Sequence, residues 1–365
     1  MFHEAELREL VEFDGQGSPV VSLYLKVDPR YRTIDEYKLA LRGLFESVEG
    51  YDAADRERIE HYLDLEYDRQ ARSVVCFTCQ ALGFWRTYTF NVPVEDAIMV
   101  DRRPLVRSLV DLVDTYGYLG VVNVDKHGAR FFSFHLGSLE EATGIIGEEV
   151  RRHRQGGRSA ARFQRKEDVV AQANLRDVVE LTVELQRQYN WRRLVLAGTD
   201  DNLARFTEQM PQTLQKLVVG STPLELTAGV QEVRERTEAV ALQARATYIQ
   251  QLADDLMVAA GKGDGAVIGL APTVDAIQNG RIYQLLFTET YEVDEARVQR
   301  CQACNYLSTQ GGDECPVCGG VLQHLPDAIN TLARRTIAQG AQVIVLPPEN
   351  RLAQENYQIG GFLRF

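Results

Sequence analysis

The chain lacks several features that would each have indicated a class of function. It contains no run of about 18 or more apolar residues, so no segment is built to cross a bilayer as a helix. Its start, Met1-Phe2-His3-Glu4-Ala5-Glu6-Leu7, is an acidic amphipathic stretch without the basic and apolar regions of a signal peptide. A cytoplasmic protein with no membrane partner is expected. Positive charge is in deficit: 40 Lys and Arg face 52 Asp and Glu, a formal net charge of -12, which argues against indiscriminate attraction to nucleic acid. The six histidines are scattered. Neither a Ser/His/Asp set, nor a His-Glu-x-x-His, nor carboxylates paired by spacing can be found, so no catalytic residue is assigned. The six cysteines are not scattered as in a disulfide framework. They fall as three Cys-x-x-Cys pairs, a spacing that favours metal in a reducing compartment.

The 365 residues, 45% hydrophobic and 25% charged, suit a globular protein of two or three domains of about 100 to 150 residues each. Residues 2–13 have helical spacing and end in the breaker Asp14-Gly15-Gln16-Gly17-Ser18-Pro19; the β-rich Val20-Val21-Ser22-Leu23-Tyr24-Leu25-Lys26-Val27 follows. Helical stretches over 34–48 and 54–67 and paired strands over 72–79 and 84–90 complete a small α+β domain. Cys76 and Cys79 lie in the first of these paired strands, where a separation of three puts them on opposite faces, so they read as small apolar residues. After Arg102-Arg103-Pro104 come an amphipathic helix over 105–116 and a hairpin of strands over 118–124 and 130–135. A long helix over about 160–188, a buried strand Leu194-Val195-Leu196-Ala197-Gly198 and a helix over about 223–260 lead to Gly261-Lys262-Gly263-Asp264-Gly265. That cluster follows a helix and lacks the Gly-Lys-Ser/Thr ending of a phosphate loop, so it reads as a C-cap and turn.

Two stretches carry chemistry. Cys301-Gln302-Ala303-Cys304 and Cys315-Pro316-Val317-Cys318-Gly319, ten residues apart, have the spacing of a zinc ribbon over 299–322. Four thiolates close a tetrahedral sphere and leave no place for a reactive water, so a structural zinc is expected, with His324 not required. The other stretch is a local inversion of charge. Arg151, Arg152, Arg154, Arg158, Arg162, Arg165 and Lys166 crowd around Gly156-Gly157 with no acid among them, immediately before the long helix. The glycines permit unusual backbone angles and close approach to another surface. The helix N-terminus adds unpaired N–H groups and partial positive charge, which suits phosphate.

Gly156-Gly157-Arg158-Ser159-Ala160, with Arg162 and Phe163, resembles the Gly-Gly-Gln-Ser-Ala…Arg-Phe tip of the archaeo-eukaryotic class-one release factors and Pelota. Leu194 to Gly198 and the closing Ile359-Gly360-Gly361-Phe362-Leu363-Arg364-Phe365 are also similar to that superfamily, and archaeal release factors carry a similar ribbon in the same place. The resemblance covers about 118 to the end. It implies a mixed α/β (α+β) protein in the three-domain release-factor/Pelota arrangement: 1–103, a middle domain 104–238 with the loop and basic helix, and 239–365 with the ribbon inserted. The family's codon-reading Asn-Ile-Lys-Ser tetrapeptide is absent from the first domain.

The departure that matters is Arg158, which stands at the position of the family's glutamine. In release factors that loop enters the peptidyl-transferase centre, where the glutamine helps place the water that cleaves peptidyl-tRNA. A carboxamide oxygen accepts a hydrogen bond; a guanidinium has five donors and no acceptor. Arginine instead suits bidentate contact with phosphate and stacking on bases. The expected RNA-binding set is Arg151, Arg152, Arg154, Gly156, Gly157, Arg158, Arg162, Arg165 and Lys166. What the resemblance implies is a factor for the ribosomal A site, touching rRNA and the peptidyl-transferase centre without catalysis, in hibernation or rescue. The Balon-type hibernation factors similarly lack the glutamine. A translational GTPase such as elongation factor Tu is the implied further partner. Two alternatives stand: a peptidyl-tRNA hydrolase that remains active despite Arg158, and an adaptor for a non-ribosomal RNA or protein.

Overall fold

The computed structural model describes residues 2–126, 128–146, 160–294, 297–325 and 327–364. The fold is mixed α/β, and the chain divides into two compact units, Met1–Asp114 with Tyr248–Phe365, and Thr115–Thr247.

The first unit begins with α1 (Glu4–Glu12), β1 (Val20–Lys26), α2 (Ile34–Glu46), α3 (Ala53–His61), β2 (Ser73–Cys79), β3 (Phe84–Phe90) and β4 (Ala97–Asp101). The strands form an antiparallel sheet in the order β3-β2-β1-β4. α2 starts where it does because Thr33 and Glu36 cap it reciprocally: the Thr33 N–H donates to Glu36 Oε2 at 2.7 Å, and the Thr33 hydroxyl accepts from the Glu36 N–H. Its buried residues Tyr37, Leu41 and Phe45 recur every four positions and pack on Leu23, Leu25 and Val74. Cys76 lies in this core and Cys79 is equally buried. Burial pushes the Cys76 thiol up to about 12 and Cys79 upward as well, keeping both in the neutral form. β4, which pairs with β1 from Val20↔Asp101 to Tyr24↔Ala97, escapes sequence reading because the segment is half-buried throughout and lacks alternation.

α4 (Arg107–Tyr116) leads into the second unit, which holds β5 (Leu119–Val124), β6 (Gly128–His135), β7 (Ser138–Ile146), α5 (Ala160–Tyr189), β8 (Arg193–Gly198), α6 (Asp200–Gln209), α7 (Gln212–Gln215) and β9 (Val218–Thr222). The sheet order is β7-β6-β5-β8-β9, antiparallel from β5 to β7 and parallel from β5 to β9. The expected hairpin is thus a three-stranded meander. Leu136 and Gly137, at φ 49° and 74°, make the turn that sends the chain back as β7. On one face of the sheet Val122, Phe131, Leu194 and Leu196 pack against Leu175, Val178 and Leu185 of α5. Trp191 closes that layer, its indole N–H donating to the Ser133 hydroxyl at 2.9 Å. Gly120 is obligatory here, since a Cβ would lie 2.2 Å from the indole.

α8 (Val230–Lys262) begins later than the expected 223. The reason is tertiary: the Glu225, Leu226 and Ala228 carbonyls accept from Asn123 Nδ2 and Arg130 Nη1, at 2.6–2.9 Å, which holds 225–228 out of the helix. α8 ends in the anticipated glycine turn, with Gly263 at φ 68° and the Gly263 and Asp264 N–H groups donating to the Ala260 and Ala259 carbonyls.

The rest of the first unit comprises β10 (Ala266–Ile268), α9 (Leu270–Gln278), β11 (Ile282–Thr288), the small strands β12 (Gln299–Cys301), β13 (Leu307–Ser308) and β14 (Leu322–His324), then α10 (Ala328–Ala338), β15 (Gln342–Leu346), α11 (Arg351–Gln354) and β16 (Ile359–Leu363). The main sheet runs β10-β16-β11-β15. Gly360 lies centrally in β16, where a Cβ would meet the Val267 carbonyl at 2.7 Å and Leu256 at 2.9 Å. Among the described residues no helix is long and apolar enough to cross a membrane.

Candidate functional site

The four ribbon cysteines converge. Strands β13-β12-β14 form a three-stranded sheet from which two turns carry Cys301 with Cys304 and Cys315 with Cys318, and all four Sγ atoms lie within 4.8 Å of one another. The Cys301–Cys318, Cys304–Cys318 and Cys304–Cys315 separations are 3.5, 3.4 and 3.7 Å. A tetrahedral ion with metal–sulfur bonds of about 2.3 Å has edges of about 3.8 Å, so the sulfur cage has the right dimensions for one. Cys301 and Cys315 are buried, Cys304 and Cys318 exposed.

The two turns share one device. The residue after the second cysteine of each pair is left-handed: Gly319 at φ 71° and Asn305 at φ 60°. Gly takes this conformation at no steric cost, and Asn305 does the same work because Asn tolerates this region better than other side chains. The Cys304 N–H points at Cys301 Sγ at 3.5 Å and, as the largest influence on it, holds that thiol down to about 6. Cys304 goes the other way: a hydrogen bond from the Tyr306 N–H lowers it, but the neighbouring sulfurs outweigh this and push it up to about 12, so without an ion between them the thiols share their protons. Gly320 is closely packed, since a Cβ there would stand 3.0 Å from Ala303 Cβ and 3.1 Å from Cys301 Sγ. His324 lies exposed on β14.

The ribbon is fixed to its unit by more than sulfur. Leu307 sits in the core with Val298, Leu325 and Ile277. The Gln278 amide exchanges two hydrogen bonds with the Leu307 backbone at 2.7 and 2.8 Å, and Arg335 Nη2 donates to the Asn305 carbonyl at 2.7 Å. No open coordination position emerges from four thiols, so the cage is suited to holding an ion and not to presenting one to a substrate.

The basic stretch lies between β7 and α5. Arg151, Arg152, Arg154, Gly156, Gly157 and Arg158 fall outside the described residues. Arg162, Arg165 and Lys166 belong to the first turns of α5. What the structure supplies is the platform: β7 ends at Ile146 and α5 begins at Ala160, so both ends of the intervening segment are set by one sheet and its covering helix. α5 is anchored through Leu175, Val178 and Leu185, and the Tyr189 hydroxyl ties its last turn to Glu141 of β7 at 3.1 Å. At 30 residues it is about 45 Å long.

Residues 104–242 match the family model of bacterial archaeo-eukaryotic release factor family 10. No curated protein matches the sequence. Among solved structures, archaeal translation termination factor aRF1 is similar at 17% identity, covering 100% of this chain and 99% of that one, with a TM-score of 0.26. Dom34 of S. cerevisiae, described as a termination-like factor that interacts with Hbs1, is similar at 11% identity, covering 99% and 92%, with a TM-score of 0.41. An archaeal Pelota, in a ribosome-bound assembly with ABCE1, is similar at 12% identity over 100% and 94%, with a TM-score of 0.43.

Proposed function

We propose that this chain binds the ribosomal A site as a non-catalytic factor and acts in ribosome hibernation or rescue. One observation carries the reading: the segment that matches the release-factor family contains, at the place of the family's catalytic glutamine, Arg158. Hydrolysis of a peptidyl ester needs a water placed by an acceptor and donors facing the developing oxyanion. Arg158 offers donors alone. With Arg151, Arg152, Arg154, Arg162, Arg165 and Lys166 it forms a basic tip suited to rRNA phosphates, while the acidic remainder of the chain repels RNA and makes docking selective. Gly156 and Gly157 let the backbone approach RNA closely.

In this reading the cysteine cage holds one structural zinc. The domains are 1–103, 104–238 and 239–365. A translational GTPase such as elongation factor Tu is the proposed partner in delivery, on the strength of the resemblance alone.

The test is peptide release from ribosomes carrying labelled peptidyl-tRNA in the P site, comparing the natural chain with Arg158→Gln at equal, verified occupancy. The natural chain is expected to bind and release nothing. Release by the variant alone would place the loop at the catalytic centre with its chemistry removed. Release by the natural chain would overturn the non-catalytic reading and make the protein a peptidyl-tRNA hydrolase. Failure to co-sediment with either vacant or stalled ribosomes would overturn the ribosomal reading altogether.

A further inference from the structure

Four arginines from distant parts of the sequence surround one cavity in the first unit. Arg103 follows β4, Arg300 lies on β12, and Arg334 and Arg335 are neighbours on α10; the space they line is about 320 Å³. A water occupies about 30 Å³ of liquid, so the cavity has room for a small anion together with an attached organic group.

Their charges are poorly matched. Arg103 has a carboxylate, Asp14, at 2.8 Å, but shares it with Arg102 at 2.7 Å. Arg335 is held by neutral groups, the Asn305 carbonyl and the Gln278 amide oxygen. Arg334 is 2% exposed and its Nη atoms donate only to the carbonyls of Leu10, Val11, Phe13 and Pro104, so it has no carboxylate in contact; its buried Nε has no hydrogen-bond partner. Arg300 is half-buried and, among the described residues, its guanidinium makes neither a hydrogen bond nor an ion pair. Glu12 is the acid that also lines the cavity, and it is exposed. Asp14 and Asp101 both stand near enough to influence Arg300 and Arg334, but neither touches them. Burial, followed by mutual repulsion, depresses the basicity of Arg300, Arg334 and Arg335, with Arg334 falling to about 10.

Burying cations in excess of the carboxylates near them is costly, and a ligand that supplies negative charge offsets that cost. Guanidinium forks fit tetrahedral oxyanions better than they fit halides, since each offers two parallel N–H groups to two oxygens. We infer that this cavity is a phosphate-binding site, with Arg300 as the principal ligand and Arg103, Arg334 and Arg335 around it. The phosphate is supplied by a free phosphorylated small molecule or by a nucleic-acid backbone. The site is formed by residues of the first unit alone and does not rest on the ribosomal reading.

The experiment uses the full chain in phosphate-free chloride buffer, titrated calorimetrically with inorganic phosphate at constant ionic strength, with sodium acetate as the control anion. Saturable phosphate binding is expected, weakened at least tenfold in Arg300→Gln, whose thermal midpoint in chloride should match or exceed that of the natural chain because a repulsive charge has gone. Arg335→Gln provides a second variant, with the same loss of binding expected should the first misfold. Adenosine monophosphate and a ten-residue oligouridylate then separate the sources: tighter binding of the former assigns a small ligand, and of the latter an RNA backbone. Absence of saturable binding, equal binding of acetate, or undiminished phosphate affinity in a folded variant would overturn the proposal. Because no ribosome is present, its failure leaves the A-site reading untouched.

Discussion

Replacing Arg334 by methionine should loosen the first unit more than any change of an exposed charge. The side chain comes from α10, yet its acceptors Leu10, Val11 and Phe13 are carbonyls at the end of α1, more than 320 residues earlier. Those are the carbonyls a helix leaves unsatisfied at its C-terminus, and Arg334 caps them with both a charge and N–H groups. Pro104 O, the fourth acceptor, keeps a second donor in Asn330 Nδ2 at 3.0 Å. Three acceptors therefore lose a partner in a buried setting, at about 1–3 kcal/mol each. Together that is about 3–9 kcal/mol, from which removal of a desolvated cation returns several kcal/mol, leaving a net loss of about 2–4 kcal/mol. With a urea dependence of about 2–3 kcal/mol/M, the midpoint should fall by about 1–2 M. The chain has two tryptophans, so a Trp191→Phe background leaves Trp85 to report on this unit alone. A loss below about 1 kcal/mol would refute the reasoning and mean that water caps α1 as well as Arg334 does.

Two further outcomes are expected. The purified chain should carry about one zinc, and Cys304→Ser or chelation should remove it and raise hydrogen exchange over 299–324 while leaving β5 to β9 unchanged; undiminished protection without metal would sink the structural role. Stability should also depend on Asp14. Burial pushes its carboxyl up, but hydrogen bonds from Arg102, the Gln16 N–H and Arg103 outweigh this and hold it at about 2, below the ordinary carboxylate value. A depressed folded-state value gives stability that is complete well above about pH 4 and lost as pH falls through about 2. Asp14→Asn should therefore cost about 1 kcal/mol at pH 7 and nothing near pH 2, as read by denaturant melts across that window.

The sequence by itself determined what depends on local spacing. Two Cys-x-x-Cys pairs ten residues apart suffice for a sulfur cage, because each spacer closes its own turn and the hairpin between them is short. The long helix from Ala160, the buried strand through Leu194 and the glycine turn after Lys262 were legible for the same reason, since periodicity and caps act within a few residues. The identity of Arg158 is likewise a fact of sequence, and most of the functional reading follows from it.

Only the tertiary structure decided what depends on partners far along the chain. β4 exists because β1 offers it an edge, and 225–228 stay out of α8 because Asn123 and Arg130 hold their carbonyls. Gly120 is small because Trp191, some seventy residues later, lies against it. The capping of α1 by Arg334, and the meeting of Arg103, Arg300, Arg334 and Arg335 around one cavity, leave no trace in any local window. An isolated arginine in a sequence reads as a solvated charge; its burial and its lack of a counter-ion are properties of the folded surface that surrounds it.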